Sequence, residues 1–231
     1  VSTSLPRYVI IPAAGIGSRM SSDIPKQYLK LVNNHTVLDT TLSKFVEEDF
    51  FDLIIVSLKE NDEYWKLSQY FNHPKVKVCK GGETRFESVF NALHSLAAVH
   101  NDAWIFVHDA ARPAISFDEI KLLYDQVLLG RDESGILAVK AFETVKKVSQ
   151  KVIKETLDRS HIWLAQTPQL SRYNTLKRAF KFCVDNNLME KITDESSALE
   201  LFGLSPIIVE GSRKNIKITT KEDLEFINFF I

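Results

Sequence analysis

The chain is predicted to fold as an α/β protein with a doubly wound, mostly parallel sheet. Three observations carry this reading. Short β-rich apolar runs recur along its 231 residues. Stretches with helical periodicity separate them. Several runs are apolar at every position, as strands covered on both faces must be. Such alternation builds right-handed strand–helix–strand units, and ligands of these sheets sit beyond the carboxyl ends of the strands. The loops that follow strands are therefore where chemistry is expected.

The apolar runs are Tyr8–Ile11, Leu53–Val56, Val76–Cys79, Trp104–Val107, Gly135–Val139 and Pro206–Val209. Helix starts are legible between them. Thr36 with Asp39 precedes Leu38, Leu42, Phe45 and Val46; Thr84 with Glu87 precedes Val89, Leu93 and Leu96; Ser116 with Glu119 precedes Ile120, Leu123, Tyr124 and Val127. Each pairs an acceptor for a free first-turn amide with a carboxylate three residues on that reaches back. The segment 143–157 departs from the pattern. Thr144–Val148 and Val152–Thr156 read as two polar strands with Ser149–Lys151 as the turn. Their alternating charges keep them out of the main core. An isolated hairpin is marginal in water, so this β-arm needs a partner surface, and a second copy of the chain is the simplest one. The rest of 1–231 reads as a single domain, without internal repeat or linker.

The sequence is 45% hydrophobic and 26% charged, enough for a sizeable core. Lys plus Arg total 29 against 30 Asp plus Glu, a net charge of -1, which argues against nucleic acid or an anionic membrane as partner. No apolar run approaches the ~20 residues of a membrane span. The apolar stretch Tyr8–Ile11 stops at Pro12, unlike a signal peptide. Cys79 and Cys183 form no CxxC pair and read as buried or half-buried thiols in a reducing, cytoplasmic setting.

Three loops after strands concentrate polar chemistry. The first runs Pro12-Ala13-Ala14-Gly15-Ile16-Gly17-Ser18-Arg19-Met20 and is followed by Pro25-Lys26-Gln27. Small residues let its backbone approach a ligand, and successive amides can cradle phosphate oxygens. It has neither the third glycine of a dinucleotide fingerprint nor the Gly-Lys-Ser/Thr of a P-loop. With Arg19 and Lys26 beside it, phosphate handling is the better reading, against a tight turn with two solvated cations. The second loop, Gly81–Ser88, enters a helix N-terminus, where free amides and Ser88 suit a base edge as well as a plain strand–helix turn. In the third, Val107–Pro113, Asp109 stands just past a buried strand, a position that suits a ribose hydroxyl or a Mg²⁺–phosphate unit. His108 reads as a hydrogen-bonded structural residue before a general base, and Arg112 as half of an internal salt bridge.

These loops recur with Pro25-Lys-Gln-Tyr28, Thr144-Val-Lys146, Ala165-Gln-Thr-Pro-Gln169, Thr193-Asp-Glu195 and Asn215-Ile-Lys-Ile-Thr219. The ordered set, over about residues 8 to 230, resembles the 2-C-methyl-D-erythritol 4-phosphate cytidylyltransferase family of the non-mevalonate isoprenoid pathway. The resemblance implies a Rossmann-like nucleotidyltransferase that joins CTP to a small polyol phosphate, with Mg²⁺ held mainly by the CTP phosphates, and no assigned protein ligand to the metal. It maps CTP binding to Ala13, Ala14, Gly15, Ile16, Gly17, Ser18, Gly82, Glu83, Ser88, Asp109 and Ala110. The family often has Asp where the longer Glu83 stands. Arg19 and Lys26 match the residues that stabilise the transition state. Thr144, Arg159, Thr167 and Lys217 match those that position the sugar phosphate. The arm 143–157 looks like a homodimerisation arm, which carries Arg159 toward the neighbouring site. Asp194 and Glu195 receive no specific role beyond capping the next helix. Ribitol 5-phosphate cytidylyl transfer, a dinucleotide-dependent oxidoreductase and a non-catalytic nucleotide sensor are the alternatives.

Overall fold

In the computed structural model, residues 5–15, 24–96 and 100–231 are described. Their strands, in chain order, are β1 (Arg7–Pro12), β2 (Leu53–Leu58), β3 (Val76–Lys80), β4 (Trp104–Val107), β5 (Ser134–Lys140), β6 (Lys146–Ser149), β7 (Val152–Thr156), β8 (Trp163–Arg172) and β9 (Ile207–Glu210). Seven form one sheet in the order β3-β2-β1-β4-β8-β5-β9, and β6 pairs only with β7. Every pairing in the large sheet is parallel except those of β8, which runs antiparallel to both β4 and β5. The sheet is thus mostly parallel, as expected.

β8 itself was not foreseen as a strand. Its Gln166, Thr167, Gln169 and Ser171 are polar yet buried, so no apolar run marks it. They are tolerated because partners meet them: Gln169 donates to Asp194 and accepts from the Ser196 amide, and Gln166 donates to the Ser212 carbonyl. Pro168, which lacks an amide to donate, falls where the β5–β8 register shifts.

The strands alternate two cores across the sheet. Val9 and Ile11 of β1 face a layer with Leu38, Leu42 and Phe45 of α1 (Val37–Val46) and Ile120, Leu123 and Val127 of α3 (Phe117–Gly130). Ile10 faces the other, with Val89 and Leu93 of α2 (Arg85–Ser95), Leu176 and Phe180 of α4 (Tyr173–Asp185) and Leu199 of α5 (Glu195–Leu201). This period-two division explains why the central strands are apolar throughout. Cys183 is buried in the second core and Cys79 is half-buried; both are free thiols. A short α6 (Lys221–Ile227) closes the chain, with Ile227 packed near Leu31, Val37 and Ile218.

Thr84 and Ser116 form complete capping boxes with Glu87 and Glu119. At α1 the box is half-made. Thr36 accepts from the Asp39 amide, but the Asp39 carboxylate accepts from the Ser68 hydroxyl instead of reaching back. The arm also differs in detail. Its turn is the two residues Gln150 and Lys151, with φ of 50° and 65°, the left-handed pair of a tight hairpin. Ser149 therefore joins the strand, and Thr144 precedes it. Every residue of β6 and β7 is exposed, including Val148, Val152 and Ile153.

The chain moves outward from β1 through β2 to β3 and then returns to place β4 on the other side of β1. That reversal leaves a crevice beyond the carboxyl ends of β1 and β4. His108 fixes its floor. The ring packs on Phe45 with centroids 5.1 Å apart. Its Nε2 lies 3.1 Å from the Arg112 carbonyl, which can only accept, so Nε2 carries the proton. Nδ1 therefore accepts from the Thr167 hydroxyl at 3.0 Å. Burial lowers its pKa to about 4.

The unfolded chain takes up this proton near pH 6.5, whereas the folded chain refuses it until about pH 4. The unfolded state then binds more protons between those values, so stability falls as pH drops through that window, by up to about 3 kcal/mol. Urea midpoints measured from pH 7 to 4 should fall more steeply for the native chain than for His108→Gln. Equal slopes would mean that His108 is not held neutral.

Candidate active site

A cleft of about 350 Å³ opens at this crevice. β1 contributes Ala13, Ala14 and Gly15 just beyond its end, and the 3-10 turn Lys26–Tyr28 adds Lys26 and Gln27. The β3–α2 loop adds Gly82, Glu83, Thr84, Arg85 and Ser88. Asp109 and Ala110 follow β4, and Lys217 comes from the segment after β9. The structure thus gathers most of the sequence-predicted residues from five separated stretches of chain. Ile16, Gly17, Ser18 and Arg19 lie outside the described residues.

Each wall is pinned by backbone bonds. The buried Gln27 side chain donates through Nε2 to the Ala13 carbonyl at 2.7 Å, and the Ala13 backbone amide donates to the Ser57 carbonyl at 2.8 Å. Lys26 Nζ donates to the Ile218 carbonyl at 3.2 Å, which ties the first loop to the Lys217 segment. In the β3–α2 loop, the Gly82 amide donates to Ser88 Oγ at 3.0 Å. The Glu83 and Thr84 amides donate to one carboxylate oxygen, Glu87 Oε2, at 2.7 and 3.2 Å. Ser88 lines the cleft, but its hydroxyl is held by its own loop, donating to the Thr84 carbonyl at 2.9 Å. Two glycines are required by close approach. A Cβ on Gly81 would stand 2.4 Å from Ala14 Cβ, and one on Gly82 would stand 2.2 Å from Glu87 Cβ.

The floor is a buried charge cluster. Asp109 Oδ1 accepts from Arg85 Nε at 2.9 Å. Its Oδ2 lies 2.8 Å from Lys217 Nζ and 3.6 Å from Arg112 Nε. Burial alone would raise the Asp109 carboxyl, but Arg85, Lys217 and Arg112 together hold it well below the usual carboxylate range. Arg85 turns its other edge to Glu195, with Nη1–Oε1 at 2.7 Å and Nη2–Oε2 at 3.0 Å. Burial pushes the Glu195 carboxyl up, against the pull of Arg85. The Asp109 amide donates to Thr167 Oγ1 at 3.0 Å. Arg112 also donates to the Asn215 carbonyl at 2.6 Å, and the Asn215 side chain donates to the Thr167 carbonyl.

Several expectations change on this geometry. Arg112 and His108 are structural, as read. Thr167 is buried and supports Asp109 and His108 from behind rather than lining the cleft. Lys217, which has no acidic neighbour in sequence, pairs with Asp109. Asp194 does cap α5, accepting from the Ser197 amide at 2.9 Å. Glu195 does not cap it, and is instead the buried counter-ion of Arg85. Thr144 and Arg159 are exposed at the base of the arm and do not line this cleft; the Arg159 guanidinium donates to the Phe142 carbonyl. Arg85 and Glu195 escaped sequence reading because they stand 110 positions apart. The sole local hint was a charged residue inside each of two motifs.

The chain has known relatives in sequence and fold. The family model described as "IspD: 2-C-methyl-D-erythritol 4-phosphate cytidylyltransferase" matches residues 8–231. A protein of that name from Vesicomyosocius okutanii is 40% identical over 235 residues, covering 97% of this chain and 96% of its own. The namesake from Mannheimia succiniciproducens is 40% identical, with 99% and 97% covered. The crystal structure of the Francisella tularensis 2-C-methyl-D-erythritol 4-phosphate cytidylyltransferase superposes with a TM-score of 0.88 at 56% identity, covering 98% of this chain and 100% of that one. A solved 4-diphosphocytidyl-2C-methyl-D-erythritol synthase gives 0.83 at 33% identity, with 99% of each chain covered. The chain belongs to the 2-C-methyl-D-erythritol 4-phosphate cytidylyltransferase family.

Proposed function

We propose that this chain transfers the cytidylyl group of CTP to 2-C-methyl-D-erythritol 4-phosphate, giving 4-diphosphocytidyl-2-C-methyl-D-erythritol and pyrophosphate. The observation that carries the reading is the cleft itself, in which a small-residue loop, a base-edge loop and the cations Lys26 and Lys217 converge beyond β1 and β4. Ribitol 5-phosphate is disfavoured as acceptor, since the family model and the relatives above all carry the methylerythritol name.

A phosphate oxygen of the polyol attacks the α-phosphorus of CTP. The bond to the bridging oxygen breaks, and pyrophosphate leaves with that electron pair. The nucleophile is already an anion, so no general base is needed, and His108 has both ring nitrogens engaged. The barrier is repulsion between two polyanions, which positioning and positive charge lower. Lys26 and Arg19 are assigned to the reacting phosphate, and Lys217 and Arg159 to the incoming one. Ala13–Ser18 are assigned to the triphosphate. Mg²⁺ would neutralise triphosphate charge. Among the described residues no group of three His, Cys, Asp or Glu is placed to cage a metal. An ion held mainly by CTP oxygens stays part of the proposal, since both oxygens of Asp109, the cleft's buried carboxylate, already meet Arg85 and Lys217. At the base, the amides of Gly82, Glu83 and Thr84 all donate within the loop. The loop therefore offers acceptors, namely carbonyls and the Glu83 carboxylate. Acceptors pair with the exocyclic amine of cytosine and are left unpaired by uracil.

The same proposal includes a homodimer through the arm, whose Val148, Val152 and Ile153 are 53%, 58% and 59% exposed in a single chain. Two arms about a two-fold axis would cover these faces and carry Arg159 to the partner's cleft. A cytoplasmic setting is also part of it, supported by the free thiols of Cys79 and Cys183.

Pyrophosphate release with CTP, Mg²⁺ and a panel of polyol phosphates tests the reaction, and indifference to methylerythritol phosphate would overturn it. Lys26→Ala should lower turnover by ~10²–10³-fold with little change in CTP affinity; near-native turnover would remove it from the chemistry. Lys217→Ala should raise KM for the polyol phosphate and largely spare CTP binding, whereas equal loss for both would mark a structural role. Arg159→Ala and Lys26→Ala should each be nearly inactive alone. A mixed dimer of the two places both lesions in one site and none in the other, so each mixed dimer should recover about half of the native activity. No recovery after re-equilibration would mean that Arg159 acts within its own chain.

A further inference from the structure

We infer that Arg85, with Glu195 as its buried counter-ion, is a positioning residue that sets Asp109 and, through Asp109, the Lys217 ammonium. The inference rests on the cytidylyl-transfer reading for its kinetic arm only. Arg85 stands at the first turn of α2, and its guanidinium spans two buried carboxylates on different elements. Glu195 at the start of α5 is 2% exposed and Asp109 beyond β4 is 6% exposed. The three guanidinium nitrogens divide cleanly: both terminal ones go to Glu195, and Nε alone goes to Asp109 Oδ1. A two-point fork holds the guanidinium plane in a fixed orientation. With Oδ1 fixed by that plane, the remaining oxygen, Oδ2, is the one that meets Lys217 at 2.8 Å. The order of dependence is Glu195, Arg85, Asp109, Lys217.

The charge pattern fits positioning better than cohesion alone. A buried ion pair adds little to stability relative to apolar packing, though breaking it on one side is costly. Lysine in place of Arg85 would keep the charge but lose the fork, and a point charge does not orient two carboxylates at once. Among the described residues the Glu195 carboxylate bonds no cleft-lining side chain but Arg85, so its influence on the site runs through Arg85.

The test is a double-mutant cycle. Arg85→Gln/Glu195→Gln removes Glu195's charge together with its guanidinium and leaves Asp109 with Lys217 and Arg112, so the variant should fold with a lowered melting temperature. Its kcat/KM for 2-C-methyl-D-erythritol 4-phosphate should still fall by about 30-fold, within the range of misplaced site groups. Adding Lys217→Ala to this variant should cost little more than Lys217→Ala alone, because both act through one ammonium, whereas adding Lys26→Ala should multiply. If the glutamine pair does not fold, Arg85→Lys carries the same cycle. Native kcat/KM in a folded pair variant, or simple multiplication with Lys217→Ala, would overturn the inference. A second readout needs no turnover. Heteronuclear NMR of the lysine ammonium groups, with the Lys217 signal identified by Lys217→Ala, should lose or shift that signal in the pair variant. An unmoved signal would overturn the positioning role even in a protein that proved to catalyse something else.

Discussion

The buried carboxylate of Asp109 is the constraint on which the site depends. It sits just past β4, where the sheet's chain order reverses, and it is almost wholly removed from water. Such a group survives as a charge only when cations surround it. Here they arrive from three directions: Arg85 from α2, Arg112 from the same loop, and Lys217 from the segment after β9. Satisfying one charge thus fixes the relative positions of elements that no local rule would bring together. Thr167 completes the hold by accepting the Asp109 amide from β8.

The same cluster reconciles a nearly neutral protein with a cleft meant for polyanions. Arg85, Arg112 and Lys217 face Asp109 and Glu195, so three positive charges meet two negative ones and leave one positive. At the walls Lys26 and Glu83 add one charge of each sign, so the local balance stays positive. Local excess, not net charge, governs the potential in a walled cleft. The overall charge of -1 therefore excludes a general polyanion binder without weakening the case for two phosphorylated ligands.

What was legible in the sequence follows from how local each signal is. The central parallel strands β1, β2 and β4 were visible because their burial on both faces writes an unbroken apolar run, and two capping boxes were visible because they close within four residues. β8 was hidden for the opposite reason. Its centre is polar and buried, and only long-range partners such as Asp194 and Ser212 explain how Gln169 and Gln166 are accommodated. Asp39 misled the reading of its box because Ser68, 29 positions away, competes for its carboxylate. In the site, loop composition located Ala13–Gly15, Gly82–Glu83 and Asp109. The Arg85–Glu195 pair was invisible, since nothing in either motif names its partner.

The arm extends this logic beyond one chain. Among the described residues its strands pair only with each other, its valines face solvent, and its base carries Thr144 and Arg159 outside the cleft. A two-stranded ribbon with an exposed apolar face gains little by folding alone. The proposed reaction assigns the incoming phosphate to Lys217, whose charge is already shared with Asp109. A second cation delivered by a neighbouring arm would answer both problems at once: it covers the ribbon and offsets the carboxylate that holds Lys217 in place. On this argument the buried Asp109, by tying down the chain's own lysine, would make an arginine from the proposed partner useful.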